Sequence, residues 1–165
     1  MNTDFSKKAI IYDRFRWDYP EAAINIILKE CNINKDSIIA DFGAGTGILT
    51  KHFCNKSKKI YAIEPDINMM QILNNKKLVN TVCIEKYAHD VEEISDQEID
   101  TIINGHSLHW FDYDKTIKVF HKILKQNGLL VNINNVYANE NEILCDINKH
   151  LEKYIKANVE QNRNI

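Results

Sequence analysis

Residues 39–53 read IADFGAGTGILTKHF, an apolar run followed by three glycines in five positions, Gly43, Gly45 and Gly47, with Asp41 just before them. Glycine reaches backbone angles that other residues avoid, and its missing side chain lets a second molecule lie against the main chain. A strand running into such a loop and then a helix is where open α/β sheets bind nucleotide-like ligands. Glu64 follows at the end of the next apolar run, ahead of Pro65-Asp66, a turn and helix start. A carboxylate at a strand tip can accept hydrogen bonds from both hydroxyls of a ribose. A nicotinamide-binding loop would read G-x-G-x-x-G, whereas this one reads G-x-G-x-G behind an aspartate. That spacing argues against a nicotinamide-dependent oxidoreductase, which stays as the lesser alternative.

His106 and His109 have the His-x-x-His spacing of a metal pair, but no carboxylate or third ligand lies in pattern with them, so no metal site is expected. None of the four cysteines, at 31, 54, 83 and 145, forms a C-x-x-C pair. They read as buried or half-buried thiols.

Apolar runs alternate with helical patterns from residue 20 onward, the arrangement of βαβ units and a parallel sheet. Pro20 suits a first helical position, and Ile24, Ile27, Leu28 and Cys31 share one face. Strands are expected at 37–42, 59–64, 81–87, 99–104 and 129–133. Helices are expected to begin with Ile48, Leu49 and Phe53, to run over 68–76, and to run from Asp114 as cap to a stop at Asn127-Gly128. An amphipathic helix is expected over 140–157, carrying Ile143, Leu144, Ile147, Leu151, Tyr154 and Ile155 at helical spacing.

With 165 residues, 44% hydrophobic and 27% charged, the chain fits one soluble domain. A net charge of −2 gives no basic footprint for nucleic acid. No run is long enough to span a membrane and the N-terminus lacks a signal-peptide core, so the expected location is the cytoplasm.

The segments DFGAGTG, IEPDINMM, YAHDVEEI, DTIINGHSLHWFD and FHKILKQNGLL resemble, in order and spacing, the successive motifs of class I S-adenosylmethionine-dependent methyltransferases. YDRFRWDYP, with LHWF, is similar to the trans-aconitate-methyltransferase-like subfamily. The resemblance runs over about residues 9–135. It implies a three-layer Rossmann-like fold with strand order 3-2-1-4-5, S-adenosyl-L-methionine as cofactor and S-adenosyl-L-homocysteine as product. It further implies that Asp41 approaches the methionine amino group while Gly43, Gly45 and Gly47 pass along the methionine and ribose. Glu64 would bind the ribose hydroxyls and Ile67 would pack on the adenine. Asn104 and Gly105 would offer carbonyls to the methionine ammonium, and Tyr12 and Arg16 would lie over the cofactor. Where the family often places an acid beside the adenine this chain has His89, leaving Asp90 or a backbone group to reach the adenine amine.

The family normally closes its sheet with two further strands. Here the residues after Asn135 read as one helix and a polar tail, so that strand pair is expected to be missing, in a truncated or a naturally short chain. The whole is then one domain, with a lid over residues 1–20, a core over 37–135 and a cap or interface helix over 140–157. That helix either covers the cleft or packs against a second copy of the chain, giving a homodimer.

Methyl transfer from a sulfonium asks the protein mainly to hold nucleophile, carbon and sulfur in line. A base is needed only when the nucleophile arrives protonated. Tyr12, His106 and His109 are the polar groups expected near the methyl, with His109 either orienting substrate or packing with Trp110 as a buttress. The expected acceptor is a small molecule or small peptide. The rival of a different class is a cofactor-binding partner or regulatory subunit without turnover.

Overall fold

The computed structural model describes residues 3–136. The chain divides into two compact units, Met1–Asn134 and Asn135–Ile165, and the sheet belongs to the first. The helix expected over 140–157 lies outside the described residues, as does Cys145.

Five parallel strands form one sheet: β1 (Ile38–Phe42), β2 (Lys59–Ile63), β3 (Thr81–Ile84), β4 (Ile99–Gly105) and β5 (Leu124–Ile133). Their order is β3-β2-β1-β4-β5, as the resemblance implied. β1 is central and buried along nearly its whole length, which is why it reads as an unbroken apolar run. Asp41 stands in register with Ala62 of β2 and Ile103 of β4, so the tips of three strands meet beside the glycine loop. The order reverses at β1, where chain going to β2 and chain returning through β4 leave on opposite sides. Open sheets hold ligands in that crevice.

Alternating side chains then sort to two faces. Ile39, Ile60 and Ile103 pack with Ile24 and Ile27 of α2 (Glu21–Glu30), and Ala62 packs with Met70 and Leu73 of α3 (Ile67–Asn75). Ala40, Phe42, Tyr61, Ile63 and Ile102 pack on the other face with Phe120 and Ile123 of α4 (Tyr113–Ile123). The Phe42 and Phe120 rings meet edge-on at 4.6 Å between centroids. Cys31, Cys54 and Cys83 are free and half-buried, and burial pushes each thiol up.

The structure departs from the sequence expectations in several elements. Residues 3–15, within the segment expected as a lid, form a helix, α1 (Thr3–Phe15), packed on α3. Pro20 sits one place earlier than expected, as the N-cap of α2. The helix expected after the glycine loop is a single 3-10 turn, Thr50–Phe53. Its polar residues reach elsewhere: Thr50 to Asp41, and Lys51 and His52 both to Asp18.

Asp112, not Asp114, caps α4, accepting the Lys115 N–H at 3.3 Å, and Asp114 falls in the first turn, where an acid suits the helix dipole. α4 stops at Ile123 rather than at Asn127-Gly128. Leu124 already pairs with Ile99 and Leu129 with Thr101, so residues 125–128 bulge out of the β4–β5 ladder. Asn127, at φ +70°, turns that bulge and does not end a helix. Among the described residues no helix is long and apolar enough to cross a membrane.

Candidate functional site

The glycine loop is fastened to β2 before anything binds. Gly43 and Ala44 both donate to the Ile63 carbonyl at 2.9 Å, and Gly45 N–H donates to Glu64 Oε2 at 2.8 Å. Glu64 Oε1 accepts the Asp66 N–H at 2.9 Å. Asp66 in turn caps α3, accepting from Asn68 and Met69. A chain of backbone donors thus fixes the Glu64 carboxylate at the strand tip. Burial pushes its carboxyl above the ordinary range, while the two N–H groups pull it down.

The glycines have different jobs, although all three lie at positive φ. A side chain on Gly43 would overlap Ser107 Cβ, and one on Gly47 would overlap Leu73. Gly45 would meet only Met69 Sδ, at 3.7 Å. Gly43 and Gly47 therefore serve the chain's own packing, and Gly45 is the loop glycine with room beside it.

Asp41 is fully buried under this loop. Oδ2 accepts the Thr50 hydroxyl at 2.6 Å, while Oδ1 has no hydrogen-bond partner among the described residues. Burial pushes the carboxyl up to about 7, the Thr50 bond pulling it down and the Glu64 charge pushing it up.

Two spaces open at the strand tips. A pocket of about 30 Å³ is walled by Tyr12, Arg16, Tyr19, Asp41 and the glycine loop. Beside it lies a cavity of about 570 Å³ reaching from Glu64 and Met69 to the loop after β4. Tyr12, Gly43, Gly45 and Gly105 line both. The Arg16 guanidinium, just past α1, lies 5.7 Å from the Tyr12 ring centre.

The geometry gathers most of the expected residues and leaves five outside. Tyr12, Gly43, Gly45, Glu64, Gly105 and His106 line the larger cavity, and Arg16 and Asp41 the smaller. Ile67 is 52% exposed and lines neither; Met69, two residues on, takes that wall. Asp90 also lies outside, with His89 in the wall and its Nε2 3.6 Å from Asp90 Oδ2. His109 is exposed beside Trp110, ring centres 5.0 Å apart, outside both spaces. Asn104 is buried on the α4 side of the sheet, both carboxamide atoms without a partner among the described residues. Gly47 is covered by Leu73.

Sequence reasoning missed Tyr19, Ser107 and the aromatic rim of Tyr87, Trp110 and Phe111. Tyr19 is buried with its hydroxyl against Gly105, leaving no space for a side chain there. Burial pushes that hydroxyl up to about 12, and the Asp41 charge adds to it. Its position as the last aromatic before Pro20 was the available signal. Ser107 donates to the Phe42 carbonyl at 2.7 Å, tying the loop after β4 to β1.

The methyltransferase domain family matches residues 40–132, and the chain belongs to that family. An uncharacterized methyltransferase of Schizosaccharomyces pombe is 31% identical over 129 residues, covering 78% of this chain and 51% of that protein. A malonyl-[acyl-carrier protein] O-methyltransferase of Priestia megaterium is 29% identical over 132 residues, 77% of this chain and 48% of that one. The chain spans about half the length of the curated relatives it matches. The crystal structure of the YcgJ protein from Bacillus subtilis superposes with a TM-score of 0.63 at 20% identity, over 81% of this chain and 58% of that one. A SAM dependent methyltransferase from Aquifex aeolicus gives 0.58 at 18%, over 73% and 67%. These two likenesses carry the fold.

Proposed function

We infer that the chain binds S-adenosyl-L-methionine and transfers its methyl group to a small molecule or small peptide in the cytoplasm. The observation that carries this is Glu64. Its carboxylate is fixed by Gly45 and Asp66 in the cavity wall, and each oxygen keeps a lone pair for one of two ribose hydroxyls. The buried Asp41 Oδ1 fits the same ligand, since an unpaired carboxylate oxygen in a pocket wall suits an ammonium. Gly45, open on its ligand side, lets the methionine and ribose run along the loop.

Bound there, the cofactor supplies a sulfonium-activated methyl group. The chain's own residues bind and orient: Glu64 holds the ribose, Asp41 the amino group, and Tyr12 and Arg16 close the methionine end against water. His106, in the wall of the larger cavity, takes the proton of an acceptor that arrives protonated. His109, at the exposed rim, meets substrate only outside the cavity.

Calorimetry with S-adenosyl-L-homocysteine tests the assignment, with a nicotinamide dinucleotide as control. Glu64→Ala removes a charged acceptor from two hydroxyls, an expected affinity loss of about 1.5–3 kcal/mol. Unchanged affinity in a folded variant overturns the assignment. A release assay for S-adenosyl-L-homocysteine separates an enzyme from a cofactor-binding partner without turnover.

A further inference from the structure

We propose that the methyl acceptor is an amine on an apolar body and not a carboxylate, an inference that rests on the methyltransferase reading above. The charged side chains lining the larger cavity are Glu64, Asp66 and Asp112, and no lysine or arginine lines it among the described residues. The cations nearest this wall face another space or are already paired, Lys115 with the wall's own Asp112. Arg16 lines the smaller pocket, Lys115 Nζ lies 2.8 Å from Asp112 Oδ2, and Lys76 Nζ lies 2.6 Å from Asp13. The rest of the acceptor side is aromatic: Tyr12 from α1, and Trp110 and Phe111 from the loop between β4 and α4. Trp110 is 80% exposed, a large apolar face turned to the outside.

A carboxylate acceptor would lose water in this cavity against Glu64 and Asp66, with Asp112 already balanced by Lys115, and no wall cation would be left to pair with it, the costly way to bury an ion. An amine meets the opposite situation. Aromatic faces attract a cationic nitrogen, tryptophan most strongly, and carboxylates attract it further. An alcohol lies between, since activating it needs a partial alkoxide among the same acids.

The charge balance of the reaction favours the amine as well. The bound ammonium first gives a proton to His106, which passes it to solvent, and the freed nitrogen lone pair then forms the new N–C bond while the C–S bond breaks and its electron pair stays on sulfur. The positive charge passes from sulfur to nitrogen, and the product leaves as the methylated ammonium. One positive charge is present before and after the bond exchange, and the acidic wall stabilises it throughout. With a carboxylate acceptor the pair would end neutral, and the wall would stabilise nothing.

A matched pair of probes tests this: phenethylamine and 3-phenylpropanoate, the same apolar body with opposite charge. Wild-type protein is first titrated with S-adenosyl-L-homocysteine. No binding at that step overturns the methyltransferase reading itself, and this inference with it. The saturated protein is then titrated with each probe, and release of S-adenosyl-L-homocysteine is measured with S-adenosyl-L-methionine present.

The amine is expected to bind roughly tenfold or more tightly than the acid, and to be the probe that supports turnover. Asp112→Asn keeps the α4 cap but removes a wall carboxylate and leaves the Lys115 ammonium unmatched, so the preference should shrink severalfold. Asp112→Glu should restore it. Equal binding of the two probes, tighter binding of the acid, binding of neither, or an undiminished preference in Asp112→Asn overturns the inference.

Discussion

The floor of the site and its rim are built by different rules. On the floor, Asp41, the glycine loop and Glu64 sit at the ends of adjacent parallel strands, and backbone hydrogen bonds fix each of them. At the rim, Tyr12, Tyr87, Trp110 and Phe111 come from a helix end and from short irregular segments, and three of the four lie largely open or at the border of exposure. The floor is thus set by the sheet, which the whole core supports. The rim is set by connections that can vary without disturbing it, as loops on a rigid scaffold do. In the function proposed above, cofactor chemistry falls to the floor and acceptor chemistry to the rim.

The sharpest way to break this contrast is within the glycine loop itself. Gly43→Ala places a side chain against Ser107 Cβ at a left-handed φ, and Ser107 is itself held by its bond to the Phe42 carbonyl. The expected loss is about 3 kcal/mol of stability from overpacking and backbone strain together. Gly45→Ala carries the strain alone, about 1 kcal/mol, because Met69 at 3.7 Å is ordinary contact. Urea unfolding compares the two, and S-adenosyl-L-homocysteine titration should then show the reverse ranking for affinity lost per unit of stability lost. Equal stability losses would mean that the two glycines serve one purpose.

The buried charge of the floor gives the next effect. The folded state raises Asp41 from an ordinary 3.8 to about 7. Between those values the native protein holds a proton that the unfolded chain has lost, so stability falls as pH rises through that window and levels off above it. Glu64, also raised, acts with the same sign. Asp18 acts oppositely and lower down. Burial pushes it up, but bonds from Lys51 and His52 outweigh that and hold it at about 2, so its contribution is lost only on acidification below 3.8. Ligand-free protein should lose a few kcal/mol between pH 4 and 7, and Asp41→Asn should flatten that slope while leaving the acid limb. An unchanged slope in Asp41→Asn would place the titration elsewhere.

The floor was legible in the sequence because a strand, a glycine turn and a strand-end acid leave local signatures. Strand order and the gathering of Asp41, Gly43, Gly45 and Glu64 followed from residue spacing and resemblance. The rim was not legible, because Trp110 or Tyr87 looks the same in a sequence whether it lines a cavity or packs inside. His106 and His109 show the limit well. They share one motif, yet the left-handed turn at His106, φ +55°, sends one into the wall and leaves the other outside it. The end of α4 failed for a different reason. Asn127-Gly128 is a true turn signal, but strand pairing from Leu124 claimed the residues before it, and tertiary pairing outweighs a local stop.

The smallest effect tests where floor and rim join. α1 carries Tyr12 into both spaces and is tied to α3 by Asp13 and Lys76, 2.6 Å apart and each 27% exposed. Burial pushes Asp13 up, but the Lys76 bond and charge together with Thr46 and Lys51 outweigh it, and the carboxyl stays below its ordinary value. Partial exposure means solvent screens most of that attraction, so Lys76→Met is expected to cost about 0.5–1 kcal/mol, less at high salt. The informative readout is local. Amide exchange in α1 should quicken in Lys76→Met while β1 and β4 amides keep their protection, because α1 opens without the sheet. Adding S-adenosyl-L-homocysteine should restore much of the α1 protection by loading Tyr12 and Arg16 from beneath. If α1 and β1 amides quicken together, the helix is part of the floor's own cooperative unit, and the division drawn between floor and rim fails at α1.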